Sequence, residues 1–529
     1  MGWKKNTSQK RIERIAENIG TIEIGDLTRE MDLANVKLRK PKRVRGVHVY
    51  LQPTNEKQLI EELLSCEDID AAKEILRRVH LYERETGRII RDFDAAQIHF
   101  QGIRLHALTY RPVGDQAQVV ARAVLMAAAI DLAARKALTE AFPDDSALVC
   151  AAGASYGATL ATKSGERGDA ELLFLGDAAN QGGKILNPGC RLRVTKDLRD
   201  LLDDDELGMT VSDLEDGTFK LTLEREAIED GAARYGIPWT LESSTKRVLA
   251  DADAIGVDAV KISKAVAEIN KDTLGISNSK LNDAVSAFAD IDGFTAIVEQ
   301  ATTNARRAEL VKAFHIIRYE LNYVRKDDYP GTLRVQYQGD RIQTLRHLPH
   351  DDPAARAMRA LEVAAGWQSS IRETLPDVID LDELRLAIGL AAGPTLVSKL
   401  GTRGNRDVLA FGSGVRRAER IQRNIDGDEL GIDGAVHNEL PEDITALFTW
   451  RAGAQGYITE DLRVNQLALA QQAASLAAGD RQRVQETNGK YRIGAAAATV
   501  GLGLTAGALA SRRAAARETD AAPRRRWAS

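Results

Sequence analysis

Short apolar runs along this chain end on charged or small residues and give way to stretches whose apolar positions recur every three or four residues. In "SAFADIDGFTAIVEQ", Ser286 to Gln300, an apolar run reaches Asp290, a second carboxylate follows at Asp292, and Gly293, Phe294 and Thr295 open a helix. The pattern predicts a strand entering a helix over Phe288 to Thr302, then a hairpin around Gly339 and Asp340. It continues with a helix over Pro353 to Ser370, a strand with a small-residue turn at "LAIGLAAG", and a strand leading to a helix near Val415 to Arg423. Helices on one face of a mostly antiparallel sheet make this an α+β fold. Amphipathic helices are expected over Thr245 to Lys271 and Glu460 to Gln485.

The same order occurs twice. "HFQGIRLHALTYRP" (His99 to Pro112) matches "QYQGDRIQTLRHLP" (Gln336 to Pro349), with Gly102 and Gly339 standing 237 positions apart. "GASYGATLATKSGERG" (Gly153 to Gly168) matches "GLAAGPTLVSKLGTRG" (Gly389 to Gly404), and "LGDAANQGGKI" (Leu175 to Ile185) matches "FGSGVRRAERI" (Phe411 to Ile421), both at an offset of 236. A near-constant offset over three segments marks a tandem duplication. The reading is a helical segment at 1–39, a first copy at 40–235, a helical linker at 236–274, a second copy at 275–465 and a helix at 466–492. A distinctive apolar run (493–510) and a basic tail (511–529) follow.

At 529 residues the chain exceeds what one hydrophobic core organises. A formal net charge of -5 excludes a global basic field that would recruit nucleic acid, so no nucleic-acid partner is expected. Cys66, Cys150 and Cys190 are scattered, which argues against a disulfide framework or a zinc site and suits a reducing, cytoplasmic setting. The first residues, MGWKKNTSQKR, contain no apolar leader, and Asn6 breaks the myristoylation pattern. Ile493 to Ala510, IGAAAATVGLGLTAGALA, is uncharged over 18 residues between Lys490/Arg492 and Arg512/Arg513. It reads either as a membrane anchor, tail-anchored to the inner membrane, or as an Ala-rich buried or disordered tail. The acidic stretch "DLRDLLDDDELG" reads as a solvated face, and Tyr50 and Tyr337 as packing residues on strands.

Two acids at neighbouring strand ends, Asp290 and Asp340, can point to one spot, where a hard cation such as Mg²⁺ or Mn²⁺ takes a few carboxylates and completes its shell with water and phosphate. Gly293 permits close backbone approach, and the amides of Gly293, Phe294 and Thr295 at a helix start favour an anion. The alternative is that each Asp caps or lines a turn.

FADIDGFT, QGDRIQ and the later G-x-x-V-R-x-A-x-R segment, in this order, resemble the class III nucleotidyl cyclases, and the resemblance covers both copies. It implies two ferredoxin-like cyclase domains pairing head to tail, as two domains of one chain or in a homodimer, with active sites in the shared groove. By similarity, Asp290, Asp340 and the backbone carbonyl of Ile291 would hold two Mn²⁺ or Mg²⁺ ions, and Arg403 would bind the triphosphate. The first copy has Pro53 and Ile103 at the two metal positions, but Asn180 and Lys184 at the family's transition-state positions; the second copy has Arg416 and Arg420 there. The resemblance thus predicts one complete site, with metals from copy two and catalytic Asn180 and Lys184 from copy one. At the base-reading positions stand His99 and Leu173, not the adenine-binding pair. The wording "QYQGDRIQTL" is similar to the pyrimidine cyclases of the Pycsar anti-phage systems, which implies UTP or CTP as substrate; an adenylate cyclase and a non-catalytic, cyclase-like regulatory protein are the alternatives. It also implies cyclic UMP or cyclic CMP as product, and a separate cyclic-nucleotide effector that senses it. For His99 itself, a strand histidine and a base contact are both open.

Overall fold

The computed structural model describes residues 2–29, 31–65, 69–166, 170–381 and 384–472. The apolar run 493–510, the basic tail, the helix expected beyond residue 472, Cys66 and Gly168 lie outside the described residues. Each copy is built on a nine-stranded, mostly antiparallel sheet, and the two sheets share one strand order. In copy two that order runs Leu333–Gln338, Arg341–Arg346, Ser279–Ile291, Leu386–Leu400, Glu429–Ile432. In copy one it runs Ala96–Gln101, Arg104–Thr109, Lys42–Pro53, Cys150–Ser164, Leu192–Val194. The fold is α+β and tandem, as the sequence pattern predicts.

The long central strands are antiparallel from Lys280 opposite Val397 to Ile291 opposite Leu386, and from Lys42 opposite Ala161 to Pro53 opposite Cys150. The small residues of "LAIGLAAG" make no turn. They lie within the continuous strand Leu386–Leu400, and their smallness lets a helix lie close on the sheet. A Cβ at Gly389 would come 2.2 Å from the Ala418 carbonyl oxygen, and one at Gly153 would come 2.2 Å from that of Gly182. These contacts seat the helices Ser413–Arg423 and Asp177–Lys184 on their strands. The other sheet face of copy two packs on Asn304–Tyr323 and Pro353–Glu373, and that of copy one on Ile69–Asp92 and Gln116–Ala141. Gln116–Ala141 is apolar and long enough to cross a membrane, but it is largely buried in this core.

The copies pair head to tail within residues 1–471 by contacts that repeat around a pseudo-twofold axis. The Phe100 amide donates to Asp407 Oδ2 at 2.8 Å, and its counterpart Tyr337 donates to Glu171 Oε2 at 3.1 Å. The Gly401 amide donates to His80 Nδ1 at 3.2 Å, and Gly165 donates to His315 Nδ1 at 3.3 Å. Leu396, Leu409 and Phe411 of copy two enter the core of copy one, while Leu160, Leu173 and Leu175 of copy one enter the core of copy two.

Two further helices are exchanged. Lys5–Ile19, at the head of copy one, packs on copy two: Trp3 Nε1 donates to Ser370 Oγ at 2.8 Å, Ser8 Oγ to Glu320 Oε1 at 2.8 Å, and Arg11 Nε to Glu320 Oε2 at 2.6 Å. The segment expected as a linker holds Leu241–Ala254, which packs on copy one: Trp239 Nε1 donates to Ser244 Oγ at 2.9 Å, Ser244 Oγ to Glu85 Oε1 at 2.7 Å, and Arg247 Nη1 to Asp92 Oδ2 at 2.8 Å. Trp3, Ser8 and Arg11 stand 236 positions before Trp239, Ser244 and Arg247, so these helices are one repeated element with each copy's helix lent to the other. The second helix ends at Ala254, short of the expected Lys271, where Ile255 turns out of helical geometry before Gly256.

The symmetry breaks in charge. Glu171 pairs with Arg334 and lies near Arg318. Asp407, its counterpart, faces Glu83, which is fully buried with neither carboxyl oxygen hydrogen-bonded. Burial, and then the neighbouring Asp407, pushes Glu83 well above the carboxylate range; burial pushes Asp407 to about 7.

Glu320 is fully buried against Arg11, so Glu320→Ala leaves the guanidinium with Asp328 alone and should cost about 3 kcal/mol in a urea titration. Acids whose folded pKa is raised stabilise the fold below their unfolded value and lose that contribution as pH rises through the folded value. Thermal stability should therefore fall between about pH 4 and 7 as Asp407 ionises. Glu83→Gln, which cannot ionise, should flatten that fall in a melting series.

Candidate active site

The strand Ser279–Ile291 carries Asp290 to its end because the pairing of Ala289 with Ile342 sets the next step beside the Gly339–Asp340 turn. Gly339 takes φ 68° there, a conformation that glycine adopts without steric penalty. The two carboxyls come close enough to hydrogen-bond one another. Burial raises both above the ordinary carboxylate range, Asp340 the further because Asp290 lies beside it. Arg341 and Gln422 work the other way on Asp290: Gln422 Nε2 donates to Asp290 Oδ2 at 3.1 Å, and Arg341 Nη2 reaches Glu419 Oε1 at 3.0 Å while its guanidinium lies 4.8 Å from the centre of the Phe288 ring. Neither Gln422 nor Arg341 was picked out by sequence reasoning. Arg341 is visible in hindsight as the last letter of the repeated Gln-Gly-x-Arg, but Gln422 carries no signal of its own.

The donor set fits a hard divalent cation. Two carboxylates share a spot beside the backbone of Ile291, and a Cβ added at Gly293 or Gly339 would meet nothing within 4 Å. Among the described residues no cluster of three or more His, Cys, Asp or Glu could cage a metal, so an ion here would rely on water and phosphate for the rest of its shell. Asp292 is not part of this set: its Oδ2 accepts from the Gly427 amide at 3.3 Å.

Gly293, at φ 73°, starts the short helix Phe294–Gln300 without a side-chain cap, and the Phe294 ring is buried 4.9 Å from Phe314. Thr295 faces the other copy. Asn180, on the first copy's helix Asp177–Lys184, donates from Nδ2 to Thr295 Oγ1 at 3.2 Å. Lys184 stands exposed at the end of that helix. His99 is half-buried in the first copy, near Arg318 and Arg341 of the second, and Arg318 donates to the carbonyl of Gly339. Asn180 of copy one thus reaches the helix that follows Asp290, and His99 of copy one lies near Arg318 and Arg341, which flank Gly339 and Asp340. Arg403 is exposed on the loop after Leu386–Leu400. That loop meets copy one, where Gln97 Nε2 donates to the Asn405 carbonyl at 2.9 Å, and among the described residues no hydrogen bond or ion pair links Arg403 to the acids.

The related site lacks both acids. Pro53 and Ile103 occupy the two acid positions, and Arg416 spans the copies to the Lys57 carbonyl at 2.9 Å and to Glu61 Oε1 at 2.7 Å. Burial pushes Glu56, at the start of the neighbouring helix, to about 7.

No family model matches the chain. It is 27% identical over 458 residues to a uridylate cyclase of Pseudomonas aeruginosa, covering 84% of this chain and 88% of that one. It is 26% identical over 424 residues to a uridylate cyclase of a Rhizobium species, covering 77% and 80%. The fold superposes, with a TM-score of 0.76 and 26% identity, on a crystal structure from Pseudomonas aeruginosa described as a class III adenylyl cyclase-like ATP-binding protein, covering 88% of this chain and 99% of that one. Both copies fall within the matched length, so over most of its length the chain is similar to uridylate cyclases and to a class III adenylyl cyclase-like fold.

Proposed function

We propose that this cyclase converts UTP to 3′,5′-cyclic UMP and diphosphate, as the second-messenger synthase of an anti-phage system whose separate effector senses the cyclic nucleotide. The observation that carries the reading is the paired Asp290 and Asp340 of one copy, with Asn180 of the other bonded to Thr295 on the helix that directly follows Asp290. The names of the two sequence relatives support uridylate as the substrate.

In the reaction the ribose 3′-hydroxyl gives up its proton to solvent and its oxygen bonds to the α-phosphorus, the bond from α-phosphorus to the bridging oxygen breaks, and diphosphate leaves with the electron pair. Two Mn²⁺ or Mg²⁺ ions held by Asp290, Asp340 and the Ile291 carbonyl would supply charge neutralisation on the phosphates and acidify the 3′-hydroxyl. The chain's own part is positioning and electrostatics. Gln422 orients the Asp290 carboxylate, and Arg341, which donates to Gln422 Oε1 at 3.5 Å, offsets its charge. Asn180 supplies a neutral donor toward the α-phosphoryl group from across the groove, and Lys184 adds a point charge without the bidentate geometry of an arginine. The Thr295 hydroxyl, now bonded to Asn180, sets the amide's starting orientation.

A second reading, ATP as substrate, is favoured by the description of the structural relative. Against it, the purine-reading positions hold His99 and Leu173, and Leu173 is buried in the core of copy two.

Incubating the purified chain with each of the four nucleoside triphosphates and Mn²⁺ should yield cyclic UMP. Cyclic AMP alone would establish the second reading, and no cyclic product would refute both. Asp340→Ala should abolish product and lower Mn²⁺ binding measured by electron paramagnetic resonance. Asn180→Ala should cut turnover about 10²-fold, the effect of removing one preorganised donor, with Mn²⁺ binding retained. Arg416→Ala, at the site without the acids, should leave turnover within about twofold, since exposed ion pairs contribute little.

A further inference from the structure

The two interfaces of the head-to-tail pairing share their backbone contacts but not their charge. His80 and His315 are counterparts, each accepting a loop amide from the other copy, and three residues after them stand Glu83 and Arg318. Phe100 and Tyr337 are counterparts as well, and three residues before them stand Gln97 and Arg334. At one interface Arg334 pairs with Glu171, and Arg318 lies near the same carboxylate. At the other, Glu83 and Gln97 take the places of both arginines, and the acid they meet is Asp407. Two cations around one acid have become two acids and an amide.

The exchange leaves oxygen acceptors without donors. Both carboxyl oxygens of Glu83 and the Oε1 of Gln97 are buried and have no hydrogen-bond partner. Gln97 Nε2 donates to the Asn405 carbonyl at 2.9 Å, which fixes the other atom of that amide as an oxygen. The groups are contiguous. A Cβ added at Gly401 would stand 3.6 Å from Glu83 Oε2. One added at Gly87, a turn beyond Glu83 on the same helix, would stand 3.2 Å from Gln97 Oε1 and 2.7 Å from Thr402 Oγ1. Asp407 lies beside Gln97 and takes the Phe100 amide on Oδ2 at 2.8 Å. Among the described residues neither Glu83 nor Asp407 forms an ion pair. Arg406, next to Asp407 in the chain, is turned to the Gly401 carbonyl at 3.3 Å, and Lys399 offsets the charge of Asp407 but not that of Glu83.

Buried acceptors that meet no donor destabilise a fold, and two like charges beside one another add to the cost. Carboxylate, amide and hydroxyl oxygens are hard donors, the set that alkaline-earth ions take. Ca²⁺ accepts irregular shells of carboxylates and amide carbonyls, whereas Mg²⁺ demands a regular octahedron and keeps its water. A divalent ion also cancels both carboxylate charges.

We propose that Glu83, Asp407 and Gln97 form a structural Ca²⁺ site that ties the helix Ile69–Asp92 of copy one to the strand Asp407–Gly412 of copy two. The ion does at this interface what Arg318 and Arg334 do at the other. The site uses neither Asp290 nor Asp340 and does not depend on the cyclase reading.

The test is equilibrium dialysis of radiolabelled Ca²⁺ against the full-length chain carrying Asp340→Ala, which removes a carboxylate of the other acid pair, together with thermal melting in chelator and in excess Ca²⁺. One Ca²⁺ should bind per chain and raise the melting midpoint by a few degrees, since the ion binds the folded state alone. Glu83→Gln and Asp407→Asn keep shape and an acceptor but remove a charged ligand. Each should weaken binding about tenfold or more and erase the Ca²⁺-dependent shift, with the melt in chelator reporting their folding independently. No bound Ca²⁺ in the Asp340→Ala chain, a midpoint indifferent to Ca²⁺, or binding unchanged in both variants would each overturn the proposal.

Discussion

Two carboxyls held side by side at the ends of neighbouring strands are electrostatically unstable without a positive partner, and this pair organises the rest of the molecule. Burial strengthens every charge interaction around Asp290 and Asp340, so the pair either keeps a proton or takes up a cation. Arg341 and Gln422 supply part of the compensation to Asp290, and Gln422 fixes its direction. The remainder must come from what enters the groove. A site of this kind suits phosphoryl chemistry, in which the protein contributes position and field more than covalent bonds.

The second requirement is that another surface reach the acids, and the duplication provides it. Backbone donors at Phe100 and Tyr337 and at Gly401 and Gly165 tie the halves by the same contacts twice over, independent of what the side chains at the grooves have become. That redundancy leaves the two grooves free to differ. One keeps its acids and receives Asn180; the other has Pro53, Ile103 and a cross-copy Arg416–Glu61 pair where chemistry would occur. The exchanged helices Lys5–Ile19 and Leu241–Ala254 make the pairing intramolecular in a strong sense, since each half's helical layer is completed by the other's leading segment.

Much of this was legible in the chain itself. The repeat offset, the α+β order and the acids at Asp290 and Asp340 follow from periodicity and motif spacing, because they are local and recur. The small residues of "LAIGLAAG" read as a turn, yet their cause is the close approach of a helix from another part of the chain, which no local pattern encodes. Trp3, Ser8 and Arg11 did repeat in Trp239, Ser244 and Arg247, but as isolated letters, too sparse to separate from a linker. Gln422 was invisible for the opposite reason: a glutamine on a helix face gains its role only when a strand end arrives 3.1 Å away.

The central claim, that one copy holds the ions and the other copy completes the same groove, is met most directly by anomalous diffraction at the manganese edge from crystals grown with Mn²⁺ and a non-cyclisable UTP analogue. The account predicts peaks between Asp290 and Asp340 with the α-phosphate lying toward Asn180. Manganese or triphosphate seated in the Pro53 and Ile103 groove, or a nucleotide that touches one copy alone, would contradict it.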